Sequence, residues 1–236
     1  MRPDGREVDQ LRPFEFERGF AKFAEGSCLL KLGDTHMMVT ATVEERVPPF
    51  MKGKGSGWVT AEYSMLPRSG RQRNDRSLMK PNGRSMEIQR LIGRAMRAVV
   101  DLESLGERTI TLDCDALRAD GGTRCASITA AYVALYDALE YLKKQRSLKK
   151  DVLKDSISAI SVGVYRGQEV LDLNYDEDSV ADTDMNVVMT GSGKFVEVQG
   201  TAESDPFGAD TLGRMLKLAK KGCDELAIAQ MEVLGL

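Results

Sequence analysis

Residues 109–142, TITLDCDALRADGGTRCASITAAYVALYDALEYL, contain the three local patterns from which we predict the fold. Polar and apolar residues alternate over residues 109–114, as in a β-strand with one buried face. A polar turn with two glycines follows at residues 118–122. Over residues 123–141, apolar residues recur at three- and four-residue steps, which indicates an α-helix. The stretch therefore predicts a strand that leads through a tight turn into a long helix.

The rest of the chain predicts strands and helices around that stretch. Residues 27–47 have the alternation of a β-hairpin that turns at Gly33 and Asp34, and residues 53–83, rich in Gly, Ser, Pro, Asn and Arg, predict a long exposed loop. A helix is predicted from Ser85 to a stop at Gly106. Further strands are predicted near residues 157–165, 168–175, 184–190 and 194–200, and a final helix over about residues 207–232. Hairpins interspersed with three helices predict an α+β fold, and we expect one domain over residues 1–236.

Composition excludes several classes of protein. The chain has no run of about 18 apolar residues, so we expect no transmembrane helix and no membrane partner. Residues 1–7 lack the apolar core of a secretory signal. The four cysteines lie far apart, which is typical of reduced thiols and predicts a cytoplasmic protein. With His36 as the only histidine, we expect neither a histidine triad nor a multi-histidine metal site.

Charge is unevenly distributed along the chain, although the formal net charge is only −3. Residues 66–97 carry nine basic side chains against Asp75 and Glu87, whereas residues 172–184 carry six acidic side chains and no basic one. A chain with this separation can hold a polyanion in one place and a metal ion in another.

Residues 120–127, DGGTRCAS, join the predicted strand to the start of the long helix. Two glycines let the backbone approach an anion, and the first N–H groups of the helix point toward it. Thr123 adds a hydroxyl donor and Arg124 a guanidinium that matches phosphate oxygens. The same pattern also suits a simple helix cap beside a turn.

A second candidate for the same anion is Arg84, at the start of the preceding helix. A cation there opposes the helix dipole, and a bound anion would remove the conflict. We therefore hypothesise that Arg84 and residues 122–124 share one phosphate.

Longer motifs follow one another along the chain: MRPDGR at residues 1–6, RVPPF at 46–50, GWVTAEYSMLPR at 57–68, EIQRLIGR at 87–94, ADGGTR at 119–124 and DMN at 184–186. In these motifs the chain resembles the ribonuclease PH family over nearly its whole length. The resemblance implies a ribosomal protein S5 domain 2-like fold with left-handed βαβ elements, mixed sheets and three main helices. It also implies a phosphate-dependent 3′-to-5′ exoribonuclease that trims RNA 3′ ends, those of tRNA precursors in particular, and releases nucleoside diphosphates in a reversible reaction.

The resemblance also implies roles for particular residues. Inorganic phosphate, the co-substrate, would be bound by Arg84, Gly122, Thr123, Arg124 and Ser127. Catalysis would depend on Arg84 and Arg124 together with Asp178 and Asp184, which would bind Mg²⁺. Asp184 would alternatively donate a proton to the leaving oxygen, and a solvated acidic turn is the non-functional interpretation of the same residues. We expect the neighbouring carboxylates to lie at the surface: Asp172, Asp176 and Asp182.

Partners follow from the same resemblance. The body of the RNA would be bound, away from the scissile bond, by four arginines of one loop: Arg68, Arg71, Arg73 and Arg76. Only Tyr63 and Phe50 lie nearby in the sequence as aromatic candidates for base stacking. The chain would form a homo-hexameric ring, a trimer of dimers. The helix face with Arg90, Arg94 and Arg97 fits a subunit contact or an RNA contact equally well.

Two departures from the family are Cys125, where Thr is usual, and Leu117-Arg118, where an apolar residue and Gln are usual. The thiol is a weaker donor, which predicts lower phosphate affinity, and Arg118 is expected to add positive charge near the site. Three rival functions are disfavoured. A catalytically silent RNA-binding ring subunit of the exosome type does not need the intact Gly-Thr-Arg turn and both aspartates, and a small-molecule phosphotransferase gives no reason for the arginine loop. A hydrolytic nuclease would need a base or a tighter carboxylate cluster.

Overall fold

The strand that precedes the two-glycine turn lies inside a five-stranded sheet. The structure, a computed structural model, describes residues 1–75, 83–148 and 150–236. The predicted hairpin is confirmed, with Leu32 opposite Thr35 across the turn. The strands are β1 (Phe14–Arg18), β2 (Gly26–Leu32), β3 (Thr35–Glu44), β4 (Trp58–Met65) and β5 (Thr109–Arg118), arranged in the order β1-β2-β3-β5-β4.

The loop predicted over residues 53–83 is wrong in part, because β4 lies within it. Val59, Ala61 and Tyr63 are buried and alternate with more exposed residues. The turn-forming residues on both sides of this strand dominate the composition of the window and conceal its alternation. β1 likewise has no counterpart among the predicted strands.

β4 and β5 are parallel neighbours in a βαβ unit, joined through α1 (Gly83–Ala98) and α2 (Leu102–Leu105). The prediction of one continuous helix from Ser85 to Gly106 is therefore wrong, because two separate helices occupy this stretch. The chain leaves α1 after Ala98, where Val100 forms an isolated β-bridge with Leu153. A new helix then begins because the Asp101 side chain accepts hydrogen bonds from the N–H groups of Glu103 and Ser104.

The second sheet is antiparallel and lies on the other side of the long helix α3 (Thr123–Lys144). Helix α3 packs against β2 and β3 of the first sheet and against β6 of the second. Thr129 fixes the latter contact, since its hydroxyl donates to the carbonyl of Ala159 at 3.1 Å and accepts from the N–H of Ala159 at 3.0 Å. The strands are β6 (Ile157–Tyr165), β7 (Gln168–Leu171), β8 (Thr183–Thr190) and β9 (Phe195–Ala202), in the order β7-β6-β8-β9.

The last two helices complete the second half of the chain. The short α4 (Tyr175–Asp178) follows β7, where the sequence predicted that a strand continues to residue 175. The long α5 (Ala209–Leu234) packs against β6, which is buried along nearly its whole length because α3 also contacts it. The α+β class with three main helices is confirmed. Within the described residues, none of the helices is both long enough and apolar enough to cross a membrane.

Candidate active site

A small pocket of about 50 Å³ lies at the start of α3. Six residues singled out from the sequence line it together, although they come from four different elements. Three further lining residues had not been singled out, of which Met185 and Asn186 belong to a quoted motif and Ser161 lies on the buried strand β6. The six are Arg84 on α1, Gly122, Thr123 and Arg124 at the start of α3, Asp178 at the end of α4 and Asp184 on β8.

The two-glycine turn is pressed against the chain that enters α4. Gly121 and Gly122 have φ angles of 76° and 67°, a left-handed conformation that strongly favours glycine. A Cβ atom on Gly121 would lie 2.7 Å from the carbonyl oxygen of Leu173 and 3.0 Å from the nitrogen of Tyr175. Glycine at this position therefore allows the start of α3 and the start of α4 to approach each other, which brings Asp178 to the pocket.

A layer of buried polar residues supports this turn from behind. The hydroxyl of Thr35 donates to the carbonyl of Gly121 at 2.7 Å and accepts from the N–H of Asp120 at 3.0 Å. The guanidinium of Arg12 donates to the carbonyl of Asp120 and pairs with the carboxylate of Asp172 at 2.7 Å. No sequence pattern predicts this layer, because Arg12 and Asp172 lie 160 residues apart.

The side chains of Arg124 and Thr123, at the start of α3, have defined partners. The guanidinium of Arg124 lies 3.1 Å from the side-chain oxygen of Gln199 and 3.4 Å from the carboxylate of Glu87. The hydroxyl of Thr123 accepts a hydrogen bond from the Tyr63 hydroxyl at 2.9 Å. Burial raises the pKa of Tyr63, so this phenol stays protonated as a donor at neutral pH. Both side chains are therefore oriented before any ligand binds.

The carboxylates Asp178 and Asp184 form the acidic wall of the pocket. Asp178 is an exposed residue, yet desolvation by the surrounding protein raises the pKa of its carboxyl group. The negative charge of Asp184 raises that pKa further, whereas the arginines Arg84, Arg124 and Arg12 lower it. The two carboxylates thus lie close enough to repel each other, and a cation between them would be stabilised.

Helix α4, which carries Asp178, is fixed by a buried ion pair. Asn174 caps the helix and forms a capping box with Glu177. The carboxylate of Glu177 is fully buried and accepts two hydrogen bonds from Arg2, at 2.6 and 2.8 Å. The N-terminal motif MRPDGR thus has a structural role in placing one pocket residue.

The sequence pattern of the 3′ exoribonuclease family, domain 1, matches residues 10–139, and that of domain 2 of the same family matches residues 155–222. The chain belongs to the 3′ exoribonuclease family. The resemblance to ribonuclease PH is thereby confirmed. The two matched segments meet at the pocket, since its arginines lie in the first and its aspartates in the second.

Three solved structures share the fold of this family member. Rice (Oryza sativa) Rrp46 is 17% identical, with a TM-score of 0.82, and each chain covers 100% of the other. In an Archaeoglobus fulgidus exosome with RNA bound to the active site, the matching chain is 21% identical, with a TM-score of 0.79; 96% of this chain and 91% of that one are covered. In an archaeal exosome core, the matching chain is 22% identical, with a TM-score of 0.75; 98% of this chain and 90% of that one are covered.

Three residues expected at or near the pocket do not line it. Ser127 is fully buried one turn further along α3, and its hydroxyl donates to the carbonyl of Thr123 at 2.8 Å instead of facing the pocket. Cys125 is also buried and its thiol contacts the side-chain oxygen of Asn186 at 3.1 Å. Arg118 is exposed and pairs with Asp34 at 2.6 Å. The charge of Arg118 is thus partly neutralised outside the pocket lining.

The acidic stretch of this family member is only partly a surface feature. Asp172 was expected at the surface, but it is fully buried because Arg12 and Arg6 supply its counter-charges. Asp176 is exposed as expected, and its carboxylate pairs with Arg71. Asp182 is half-buried and accepts a hydrogen bond from Ser204.

The arginine loop lies close to the two-glycine turn. Arg68, Arg71 and Arg73 are exposed, and Arg76 lies outside the residues that the structure describes. The N–H of Ala119 donates to the carbonyl of Ser69 at 2.9 Å, which ties the loop to the strand end before the turn. On α1, Arg94 pairs with Glu197, and Arg97 donates to the carbonyl of Val59 and stacks on Trp58. Arg94 and Arg97 therefore have partners within the chain.

Proposed function

We propose that this chain is a phosphate-dependent 3′-to-5′ exoribonuclease that trims RNA 3′ ends, tRNA precursors in particular, and releases nucleoside diphosphates. One observation carries the proposal: guanidinium groups, a helix N-terminus and two carboxylates line the same small pocket. Phosphorolysis needs positive charge on both reacting groups, since one phosphate attacks another and the repulsion between them must be overcome. The arginines would supply this charge to the attacking phosphate, and a metal ion held by the carboxylates would supply it to the scissile phosphate.

The attacking phosphate binds between α1 and α3 in this proposal. Arg84 and Arg124 supply positive charge, Thr123 supplies a hydroxyl, and the first N–H groups of α3, next to Gly122, have no partner within the helix. Gln199 and Glu87 hold the Arg124 guanidinium in place. Orthophosphate is already ionised at neutral pH, so no histidine base is needed to create the nucleophile.

Asp178 and Asp184 fit a Mg²⁺ ion. Magnesium is usually bound through one or two carboxylates, with waters and substrate phosphates as the remaining ligands. Desolvation raises the pKa of Asp178, and the Asp184 charge raises it further; a cation between the two carboxylates would relieve that repulsion. When bound, Mg²⁺ would neutralise charge on the scissile phosphate. Among the described residues no group of three His, Cys, Asp or Glu side chains could form a larger metal cluster.

The reaction exchanges one phosphorus–oxygen bond for another. An oxygen of orthophosphate bonds to the phosphorus of the terminal nucleotide, and the bond from that phosphorus to the 3′ oxygen of the preceding nucleotide breaks. The leaving oxygen takes a proton from solvent or from Asp184, and the product is a nucleoside diphosphate. Because bond types are conserved, nucleotide addition from diphosphates runs at the same site.

The decisive experiment incubates a 3′-tailed RNA with Mg²⁺, with and without phosphate, and identifies the products. We expect nucleoside diphosphates only when phosphate is present, and nucleoside monophosphates formed without phosphate would show hydrolysis instead. Arg124→Ala should raise the Km for phosphate about tenfold or more, because charge-assisted hydrogen bonds are removed. Arg46→Ala, which removes an exposed arginine paired with Glu44, is the matched control.

A second candidate function is a catalytically silent, RNA-binding subunit of an exosome-type ring. The similarity of the fold to rice Rrp46 and to archaeal exosome subunits favours it. Retained RNA binding with no diphosphate product from the wild-type chain would establish this alternative. For the first candidate, the phosphorolytic enzyme, we propose a homo-hexameric ring built as a trimer of dimers. Native mass spectrometry tests it, since the expected mass is six times 26.0 kDa.

We further propose a cytoplasmic location, because all four cysteines are buried free thiols.

A further inference from the structure

Tyr175 and Arg71 form an exposed cation–π pair beside the pocket. The Arg71 guanidinium carbon lies 4.7 Å from the centroid of the Tyr175 ring. The same guanidinium forms an ion pair with Asp176, the next residue of α4. Tyr175 keeps 43% of its surface exposed, and the Arg71 side chain keeps 66%. The pair therefore presents a flat, cationic and aromatic surface to solvent.

This surface is fixed with respect to the pocket. Tyr175 is the first residue of α4, and the last residue of that helix is the pocket aspartate Asp178. The backbone nitrogen of Tyr175 also lies against the two-glycine turn, 3.0 Å from where a Cβ on Gly121 would stand. The capping box of α4 and the buried ion pair of Arg2 and Glu177 hold the helix in place.

The other aromatic side chains considered for this region are already engaged. Tyr63 is buried, and its hydroxyl donates to Thr123. Phe50 packs edge-to-face on Trp58, with ring centroids 5.2 Å apart. Base stacking on aromatic rings and guanidinium planes is a general means of binding single-stranded RNA without sequence preference.

We propose that Tyr175 and Arg71 bind an unpaired nucleobase of the RNA 3′ end by stacking, and so position the terminal nucleotide for the pocket. This inference rests on the proposed function for the identity of the ligand. It adds an aromatic positioning residue, Tyr175 on α4, to the RNA contacts proposed for the arginine loop.

The test measures binding of single-stranded RNAs that each lack one base, the abasic site being moved stepwise from the 3′ end. Binding is measured without phosphate, so that no phosphorolysis occurs. For the wild-type chain, we expect removal of one particular base near the 3′ end to weaken binding on the order of tenfold. Tyr175→Leu should weaken binding of intact RNA by a similar factor and should lose the sensitivity to that base, whereas Tyr175→Phe should retain it.

Tyr141→Leu is the matched control, because Tyr141 is equally exposed, at 42%, near the far end of α3. It should bind every RNA as the wild type does. Equal weakening of intact and abasic RNA by Tyr175→Leu would assign Tyr175 a purely structural role and overturn the inference. A wild-type abasic profile without any sensitive position overturns it independently of the variants. The product assay is a separate experiment. Absence of nucleoside diphosphates in it would refute phosphorolysis, and the binding measurements with abasic RNAs could still be interpreted.

Discussion

At the scale of single residues, Asp172 is the centre of the polar layer behind the two-glycine turn. Its carboxylate accepts hydrogen bonds from the backbone N–H and the guanidinium of Arg12, and it also pairs with Arg6. Its φ angle of 55° is left-handed, a conformation that Asp and Asn tolerate better than most residues. Asp172→Asn therefore changes the charge without a new conflict in the backbone.

We expect Asp172→Asn to lower the free energy of unfolding by about 3–5 kcal/mol, because the buried guanidinium of Arg12 loses its nearest counter-charge and keeps only Asp120 at 3.9 Å. Chemical denaturation measures this decrease. The control is Asp34→Asn, which removes one partner of the exposed pair with Arg118 and should cost less than about 1 kcal/mol. Equal decreases in the two variants would mean that the buried pair does not stabilise the fold.

At the scale of elements, the approach of α3 to α4 depends on Gly121. We expect Gly121→Ala to destabilise the protein and to raise the Km for phosphate, since the new Cβ would lie 2.7 Å from a backbone oxygen and force the two helix starts apart. Gly167→Ala is the matched control, because Gly167 has nearly the same φ, 75°, but open space around it. Its cost should be that of the left-handed backbone alone, about 1–2 kcal/mol. A phosphate Km in Gly121→Ala no higher than in the control would contradict this account.

A second feature that can be tested is a pair of neighbouring carboxylates on strands β5 and β4. Asp113 stands opposite Glu62 in the parallel register. Desolvation raises the pKa of Asp113, and the charges of Glu62 and Asp115 raise it further. The folded state therefore binds the proton more tightly than the unfolded chain, and stability falls as pH rises from 3.8 through the raised pKa.

Asp113→Asn should thus increase the free energy of unfolding at pH 7, by about 0.2–1 kcal/mol for a cross-strand pair of like charges. The gain should disappear at pH values below 3.8, where Asp113 is protonated in both states. Denaturation of both proteins across this pH range measures the difference. A gain that does not change with pH would indicate a packing effect rather than relief of charge.

The contrast between local and distant signals explains what could be predicted about these elements. Helices α3 and α5 were predictable because their apolar periodicity is long and continuous. Strand β4 was not, since it spans eight residues between turn-forming segments and pairs with β5 some 50 residues later. The burial of Asp172 depends on partners near the N-terminus, which a local charge pattern cannot show.

At the scale of the whole molecule, the proposed function assigns RNA contacts both to the arginine loop and to the pocket. Replacing Arg68, Arg73 and Arg76 together by Ala should make the dependence of log Kd on log salt shallower by about two, since each neutralised phosphate of single-stranded RNA contributes roughly 0.7 to that slope. Titrations at several salt concentrations measure this slope. The control replaces three exposed cations of α5, Arg214, Lys217 and Lys220, and should leave the slope unchanged. An unchanged slope in the loop variant would exclude the loop from the RNA interface.

Six of the pocket residues were predictable, because the resemblance to the family implies a role for each of them, whereas Ser161 was not. Their supports were not: Gln199, Thr35 and Arg12 come from strands and a segment that meet only after folding. The motif therefore identifies the groups that would touch the ligands, and tertiary structure identifies those that orient them.

Helix α3 lies between the two sheets, so the two halves of the chain meet along this helix. A break introduced between residues 144 and 155 would leave every pocket arginine on one fragment and both pocket aspartates on the other. Neither fragment alone would then hold both reacting phosphates of the proposed reaction, and the proposed activity should return only when the two polypeptides are produced together and reassociate.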